Sequence, residues 1–384
     1  MKIAIAGLGL NGLICAISMK IAGYDVTCFE ETPEEVLIND ERTSALTFET
    51  IEFFKDFNIN EKLKPFLAPI MHIYTFEQEE KPILDFDAHS ISTEPFGYVV
   101  LNSDIKKIFF EKLKELKIQI IKSPIISYET NENFINIKTT EIEEKFKLLL
   151  ACTGKNNKLF KNTKKILDSN YNQTAFVFSI KHSEEHKNIA IESFTGQGPL
   201  AILPLVEKNT SGIIYTVKEE TADYLKTLTE EAFFKHFVAQ TERMRHIGKI
   251  ESFTSKIKSY PLTLSLQKIQ AFSRVLMIGD AFNAMHPVAG QSFNVSLKDI
   301  KNLYLGSKNC LKLGLDVGSL TFLKEIERKN IKHHLEMSLF THLLVKMFSN
   351  YNPLLKFARN MGINFINHFS PLKKFLMKKA SGIK

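Results

Sequence analysis

Two stretches far apart in the chain carry residue types that could hold a nucleotide. The first is Gly7-Leu8-Gly9-Leu10-Asn11-Gly12, directly after the apolar run Lys2–Ala6. Gly7 permits a tight turn, Gly9 lets the backbone approach a pyrophosphate, and Gly12 lets a following helix pack closely on the strand. The start of that helix offers unpaired N–H groups and a positive dipole end to the anion. Glu30 closes the next strand-like run, where its carboxylate can accept hydrogen bonds from a ribose hydroxyl. An acid there disfavours a 2′-phosphate, so the tightly held nucleotide is FAD or NAD, not NADP. Glu31 offers the same chemistry, and the sequence leaves both open. The second stretch, Ile278 to Asn294, reads IGDAFNAMHPVAGQSFN. It sets Gly279-Asp280 after four apolar residues, then His286-Pro287 and Gly290-Gln291, then a helix start near Ser292. His286 invites a proton-transfer role, although a lone histidine beside a proline equally reads as part of a shaped loop. No metal-ligating constellation accompanies it.

The elements that must position these residues follow from hydrophobic spacing. A helix is expected from about Asn11 to Ala22, stopped by Gly23, and a strand over Asp25–Glu30. Helical spacing returns at Ser103–Leu116, with Ile105, Ile108, Phe109 and Leu113 on one face. Ile118–Ile121 and Lys147–Ala151 read as strands, the second ending in Cys152-Thr153-Gly154. Residues 70–95 read as a strand pair. Ala175–Ile180, Ile189–Phe194, Ala201–Leu205 and Gly212–Val217 read as strands of an antiparallel sheet inserted into the first fold. Val275–Ile278 returns to that fold. Helices follow from about Ser292 to Leu305, with Gly306 as the stop, and from about Gly318 to Phe348.

The expected fold class is therefore α/β: a Rossmann-like dinucleotide domain, an inserted, mostly antiparallel sheet for substrate, and a helical C-terminal region. The pattern changes place the dinucleotide domain at 1–70, 97–165 and 270–330. The substrate domain takes 71–96 and 166–269, and the C-terminal region 331–384.

At 384 residues with 44% hydrophobic and 24% charged content, the chain is long enough for two cores and is not a disordered polymer. Its four cysteines show no CxxC spacing, which excludes a readable disulfide or zinc framework and points to a reducing compartment. No apolar run is long enough for a transmembrane helix, and the first strand lacks the features of a signal peptide. A cytoplasmic location is expected. The net charge of +7 is a property of the tail, because residues 331–384 hold nine Lys or Arg against one Glu. That distribution argues against a general nucleic-acid binder, whose basic residues would cover the folded body.

Both stretches, in this order and separation, resemble the two ends of the FAD site in flavin-dependent aromatic hydroxylases with a single dinucleotide-binding fold. The ubiquinone-biosynthesis branch is the most similar. Further matching segments are Arg42-Thr43-Ser44-Ala45-Leu46, Gly97 to Asn102, Tyr171 and Gln173, Gly198 to Leu205, and Tyr260-Pro261-Leu262. The resemblance spans about residues 2–345. It implies FAD as cofactor, with Asp280 on the ribityl chain and Pro287, Gly290 and Gln291 in a loop against the isoalloxazine. Asn294 would add a polar contact, and Arg42 would lie near the flavin phosphates or the path of the nicotinamide donor. It also implies NAD(P)H as a transient co-substrate and O2 as oxidant. A prenylated phenol would be hydroxylated by way of a flavin C4a-hydroperoxide, with Phe194, Leu203 and Pro204 as pocket walls. Two positions depart from the pattern. Ser103 stands where many relatives have arginine, and Thr153-Gly154 replaces an Asp-Gly pair tied to FAD and nicotinamide binding. These departures motivate a rival reading, a non-catalytic FAD-binding scaffold of a quinone-synthesis complex. A reductase or halogenase on a related fold is a third.

The tail from Pro353 to Lys379 interleaves apolar and basic residues. It reads either as a helical cap on the dinucleotide domain or as a basic amphipathic surface. The latter would contact an anionic membrane, on its inner face, or a partner complex.

Overall fold

The computed structural model describes residues 1–77, 82–155, 158–160, 163–241, 245–286, 291–348, 361, 363 and 365–381. Pro287 and Gly290 lie outside the described residues, and of Gln291 only the backbone is described.

The strands Lys2–Ala6, Asp25–Phe29, Gln119–Ile121, Leu148–Ala151 and Val275–Met277 form one parallel sheet, with Ala271–Phe272 added antiparallel at the edge. The interior residues of these strands are mostly apolar because both faces of the sheet are covered. Ile3 and Ile5 point into a core shared with the helices Leu10–Ile21, Asn102–Glu115 and Gln291–Lys312. Ala4 and Ala6 point the other way, into a core that includes Ile135, Ile137 and Phe146. Those residues belong to a three-stranded antiparallel sheet, Ser127–Thr130, Ile135–Lys138 and Glu143–Phe146. Its strands are short, with charged outer faces, and sequence patterning did not reveal them.

A nine-stranded sheet is built around the 18-residue strand Lys165–His182, flanked by Thr210–Lys218 and Lys258–Gln267. It continues through Pro199–Pro204, Ile189–Phe194, His72–Phe76 and Leu84–Asp87. The expected strand pair in 70–95 is thus part of this sheet. The pairing of Ile189–Phe194 with His72–Phe76 is parallel, an exception to the expected antiparallel order. One face packs on the helices Glu219–Lys226 and Glu230–Thr241 through Phe176, Phe178, Tyr215, Phe233 and Phe237. The other face turns toward a small sheet of Thr43–Thr47, Gly97–Leu101 and Ala68–Ile70. The contact is tight: a Cβ on Gly212 would lie 2.6 Å from Thr43 Cγ2.

Gly306 does not stop the helix that begins at Gln291, which continues to Lys312. A Cβ at Gly306 would sit 3.0 Å from Phe322 and 3.1 Å from Ile326. The glycine is there for close approach of the helix Leu320–Phe348, and that packing outweighs its weak helix propensity. That second helix runs unbroken through position 331.

Arg274 knits three parts of this architecture together. It is 2% exposed and donates to the carbonyls of Asn131, Glu132 and Lys147, with a bidentate pair to Asp316. Removing its side chain would leave buried carbonyls unpaired and Asp316 without its cation. Arg274→Met should cost about 3 kcal/mol and lower the thermal midpoint by several degrees in calorimetry. An unchanged midpoint would refute this role.

Candidate functional site

At the end of the first strand Gly7 adopts φ +88°, and a Cβ there would lie 2.7 Å from the Cys152 carbonyl oxygen. Gly12 is tighter still, since its Cβ would lie 1.9 Å from the Gly7 oxygen. These contacts pull the helix Leu10–Ile21 onto the two central strands. Gly9 is its N-cap, with no side chain capping it and no acid in the first turn. A Cβ at Gly9 would meet nothing within 4 Å. The helix start is therefore open and electropositive. Glu30 braces the loop: one carboxylate oxygen accepts from Leu8 N–H at 2.8 Å and the other from Thr32 N–H at 2.8 Å. An ionised carboxylate has about four acceptor positions, so two remain for ribose hydroxyls.

Thr153 and Gly154 follow the neighbouring strand, Leu148–Ala151. Gly154 has φ +66° and open space where a Cβ would be. Among the described residues, the Thr153 hydroxyl is buried without a hydrogen-bond partner, as are the Asn11 side-chain oxygen and the Thr43 hydroxyl. Asn11 abuts Gly279, whose Cβ would meet its Nδ2 at 2.1 Å. The two sequence stretches therefore meet at this point. Asp280, the next residue, is solvent-accessible although protein surrounds it on most sides, the signature of a cleft. That enclosure raises its carboxyl above the usual range, opposed by the positive charges of Lys155 and Arg42.

Arg42 forms a bidentate pair with Asp40, both contacts 2.7 Å, and its guanidinium lies 5.3 Å from the centroid of the Tyr260 ring. Asp40 is buried and also accepts from Lys106 at 2.7 Å and Asn102 at 3.3 Å. Burial opposes its ionisation, but the hydrogen bonds and charges of Arg42 and Lys106 outweigh burial and hold the carboxyl far below its usual range. Lys106 lies one helical turn beyond Ser103, so the cation absent at 103 is present nearby. Desolvation lowers its pKa, against the pull of Asp40. Sequence reasoning passed over Asp40 and Lys106. The readable signal was an acid two residues before Arg42.

His286 is 1% exposed, packs edge-on against Tyr171 and lies 3.3 Å from Gln173 Oε1 through Nε2. Desolvation, aided by Lys155, lowers its pKa to about 3. At neutral pH it is an uncharged hydrogen-bonding group. The Asn294 side chain accepts from Thr47 N–H and the Thr50 hydroxyl and donates to the Ala45 carbonyl, tying the helix start at Gln291 to the strand Thr43–Thr47. Its described contacts position protein elements. Phe194 and Leu203 lie on the nine-stranded sheet, Phe194 buried and Leu203 packed in the cluster that includes Phe96 and Met377. Pro204, next to Leu203, points to the opposite face because strand side chains alternate. The two therefore do not line one pocket, and Pro204 is set aside as a wall.

Asp299, His333 and His334 have potential ligand atoms within 4.8 Å of one another. Both histidine Nε2 atoms face Asp299, at 3.0 and 2.7 Å, and Asn283 Nδ2 lies 2.8 Å from His334 Nδ1. These contacts join the helices Gln291–Lys312 and Leu320–Phe348 and the short strand at Asn283 in one hydrogen-bond network.

The glycine cradle, the open helix start and the unpartnered hydroxyl and amide oxygens fit a dinucleotide with hydrogen-bonding sugars and a pyrophosphate. Comparison with known proteins agrees. The family model described as FAD binding domain matches residues 1–308. The ubiquinone hydroxylase UbiL of Rhodospirillum rubrum is 29% identical over 99% of this chain and 89% of its own. The 3-demethoxyubiquinol 3-hydroxylase of Escherichia coli is 23% identical, over 100% and 98%. Among solved structures, p-nitrophenol 4-monooxygenase PnpA of Pseudomonas putida superposes with a TM-score of 0.79 at 14% identity, covering 100% of this chain and 98% of that one.

Asp40 gives the site a measurable acid signature. Its native pKa is depressed, so its stabilising contribution is complete above the unfolded value of about 3.9. It is lost as pH falls from there toward the native value. Asp40→Asn should lower the urea midpoint at pH 7 and flatten the further loss of stability between about pH 4 and pH 2. Parallel acid profiles for the two proteins would refute the assignment.

Proposed function

The chain belongs to the FAD binding domain family, and on that premise we propose that it is an NAD(P)H-dependent monooxygenase hydroxylating the ring of a prenylated phenol in ubiquinone biosynthesis. The observation that carries this reading is the end-to-end similarity to ubiquinone hydroxylases. It comes with a cradle in which Gly7, Gly9, Gly12, Glu30, Thr153, Gly154 and Asp280 would hold FAD. When bound, FAD supplies the redox chemistry, hydride acceptance from NAD(P)H and activation of O2. The protein's own residues bind, orient and exclude water. Glu30 would take the ribose, Thr153 Oγ1 and Asn11 Oδ1 would gain partners they lack, and the Arg42–Asp40 pair would present a fixed cation beside the cleft. Neutral His286 would hold Gln173 in place on the substrate sheet. Paired carboxylates or a nucleophile triad are not required, because the cofactor carries the hard step.

The scaffold reading is favoured by one observation, the uncharged Thr153 where the resembling family has aspartate. Aerobic NAD(P)H oxidation by the FAD-loaded protein, stimulated by a prenylated phenol and yielding product one oxygen heavier, is the expected result. Thr153→Asp should raise the oxidation rate several-fold. Absence of NAD(P)H oxidation in both proteins, with and without phenol, would leave the scaffold.

We also propose a peripheral contact with an anionic membrane through the C-terminal region. Among the described residues no helix is long and apolar enough to cross a bilayer. The helix Ser370–Ser381 is anchored by buried Met377, yet Phe365, Phe369 and Phe375 are exposed beside Lys373, Lys374 and Lys378. Flotation with vesicles containing phosphatidylserine should recover the protein at low salt and less at high salt. The double change Phe369→Glu, Phe375→Glu should abolish recovery. Undiminished flotation of that variant would reject the surface.

A further inference from the structure

The nine-stranded sheet carries one acid whose position the FAD chemistry does not explain. Register places Lys258, Val177, Ile214, Ala201, Glu192 and Thr75 in one row across the strands. On its own strand Glu192 shares a face with Ala190 and Phe194, because alternate residues point the same way. That is the face turned toward Arg42 and Thr43. Ala190, Ile73 and Leu203 on one side of the row belong to the apolar cluster closed by Phe96, Val99 and Met377. On the other side lie Ala175, Thr216 and Tyr260, whose ring carries the Arg42 guanidinium. Glu192 therefore stands where an apolar floor meets the Arg42 side of the face turned toward the small sheet. Its direct neighbour Ala201 is small and fills little of the space beside it.

Among the described residues no donor or cation reaches the Glu192 carboxylate. Its side chain is half-buried, and desolvation by the surrounding protein disfavours its charged form. The Thr216 hydroxyl on the adjacent row is also buried without a partner among the described residues. An enclosed carboxylate is costly unless a ligand group pairs with it.

We propose that Glu192 receives the hydroxyl of a phenol bound against this sheet face, as hydrogen-bond acceptor and then as the base that takes its proton. This rests on the phenol hydroxylase reading above. The phenolic O–H bond breaks, the proton passes to a Glu192 oxygen, and the electron pair stays on the phenolic oxygen. That pair enriches the ring carbons ortho and para to it, where an electrophilic oxygen adds. The oxygen comes from O2 reduced at the expense of NAD(P)H, and the second atom of that O2 leaves as water. The C–H bond at the hydroxylated carbon breaks, its proton going to that leaving oxygen as the ring becomes aromatic again. The Glu192 proton returns to the phenolic oxygen, so Glu192 is regenerated. Burial raises the Glu192 carboxyl to about 7, which suits a group that must take and return a proton near neutral pH.

The test uses the FAD-loaded protein with 2-(3-methylbut-2-enyl)phenol and its methyl ether as probes. Dissociation constants are read from the perturbation of the flavin absorbance, and turnover is measured with the phenol. Wild type should bind the phenol at least tenfold tighter than the ether. Glu192→Leu should bring that ratio to about one while leaving the ether constant within twofold. Glu192→Gln keeps an acceptor and should retain part of the ratio, but its turnover should fall about a hundredfold, the typical share of general-base catalysis. A tenfold ratio in Glu192→Leu, or wild-type turnover in Glu192→Gln, overturns the proposal while the phenol reading stands. Should Glu192→Leu fail to hold FAD, the turnover of Glu192→Gln decides. If neither probe perturbs the wild-type flavin and the phenol is not turned over, the phenol reading falls and takes the proposal with it.

Discussion

The structure depends on one steric constraint, the approach of the first helix to the end of the first strand. Gly12 leaves 1.9 Å between a hypothetical Cβ and the Gly7 oxygen, and Gly7 leaves 2.7 Å to the Cys152 oxygen. No side chain fits at either place. Because of this, the helix start, the Glu30 carboxylate and the Thr153-Gly154 turn crowd around one opening. Gly279 extends the same logic, with Asn11 Nδ2 in the space a Cβ would need. Four chain segments thus converge through the absence of side chains. Among the described residues, two of the polar atoms they bring, Thr153 Oγ1 and Asn11 Oδ1, are buried without a partner.

A second junction is electrostatic. Asp40 collects Arg42, Lys106 and Asn102 from two different elements, and Arg42 then lies on Tyr260 of the nine-stranded sheet. An isolated buried carboxylate would not remain ionised, and a lone Arg42 would have many rotamers. Together they fix a guanidinium plane between the cofactor sheet and the substrate sheet. Asn294 performs a similar task without charge, pinning the start of the helix Gln291–Lys312 to the strand Thr43–Thr47. The cleft is therefore framed by contacts that cross between elements.

The parts legible in the sequence were those with strong local signatures. The glycine loop, the parallel strands and the long helices obey steric and periodic rules that act within about ten residues. Gly306 misled, because a glycine late in a helical pattern looks like a stop until its partner helix is known. The three strands of 127–146 were missed, since their outward faces are polar and their inward residues few. Asp40 was visible as an acid near Arg42, but its value comes from Lys106, whose distance along the chain hides the contact. Glu192 carried no sequence signal. In a strand of alternating character an acid reads as solvent-facing, and only the register of neighbouring strands places it on the face turned toward Arg42.

The charge state of the cleft follows from the same enclosure. Desolvation moves His286 toward its neutral form and raises the carboxyls of Asp280 and Glu192, while the Asp40–Arg42 pair remains ionised because each supplies the other's counter-charge. Enclosure therefore selects against isolated charge everywhere except where a partner was built in. A cleft of that kind admits an aromatic ring more readily than an ion, and it keeps water from competing for the few polar atoms present. A hydroxyl on that ring would then be the group best able to draw a carboxylate back into its charged form, since it brings the donor that the protein withholds.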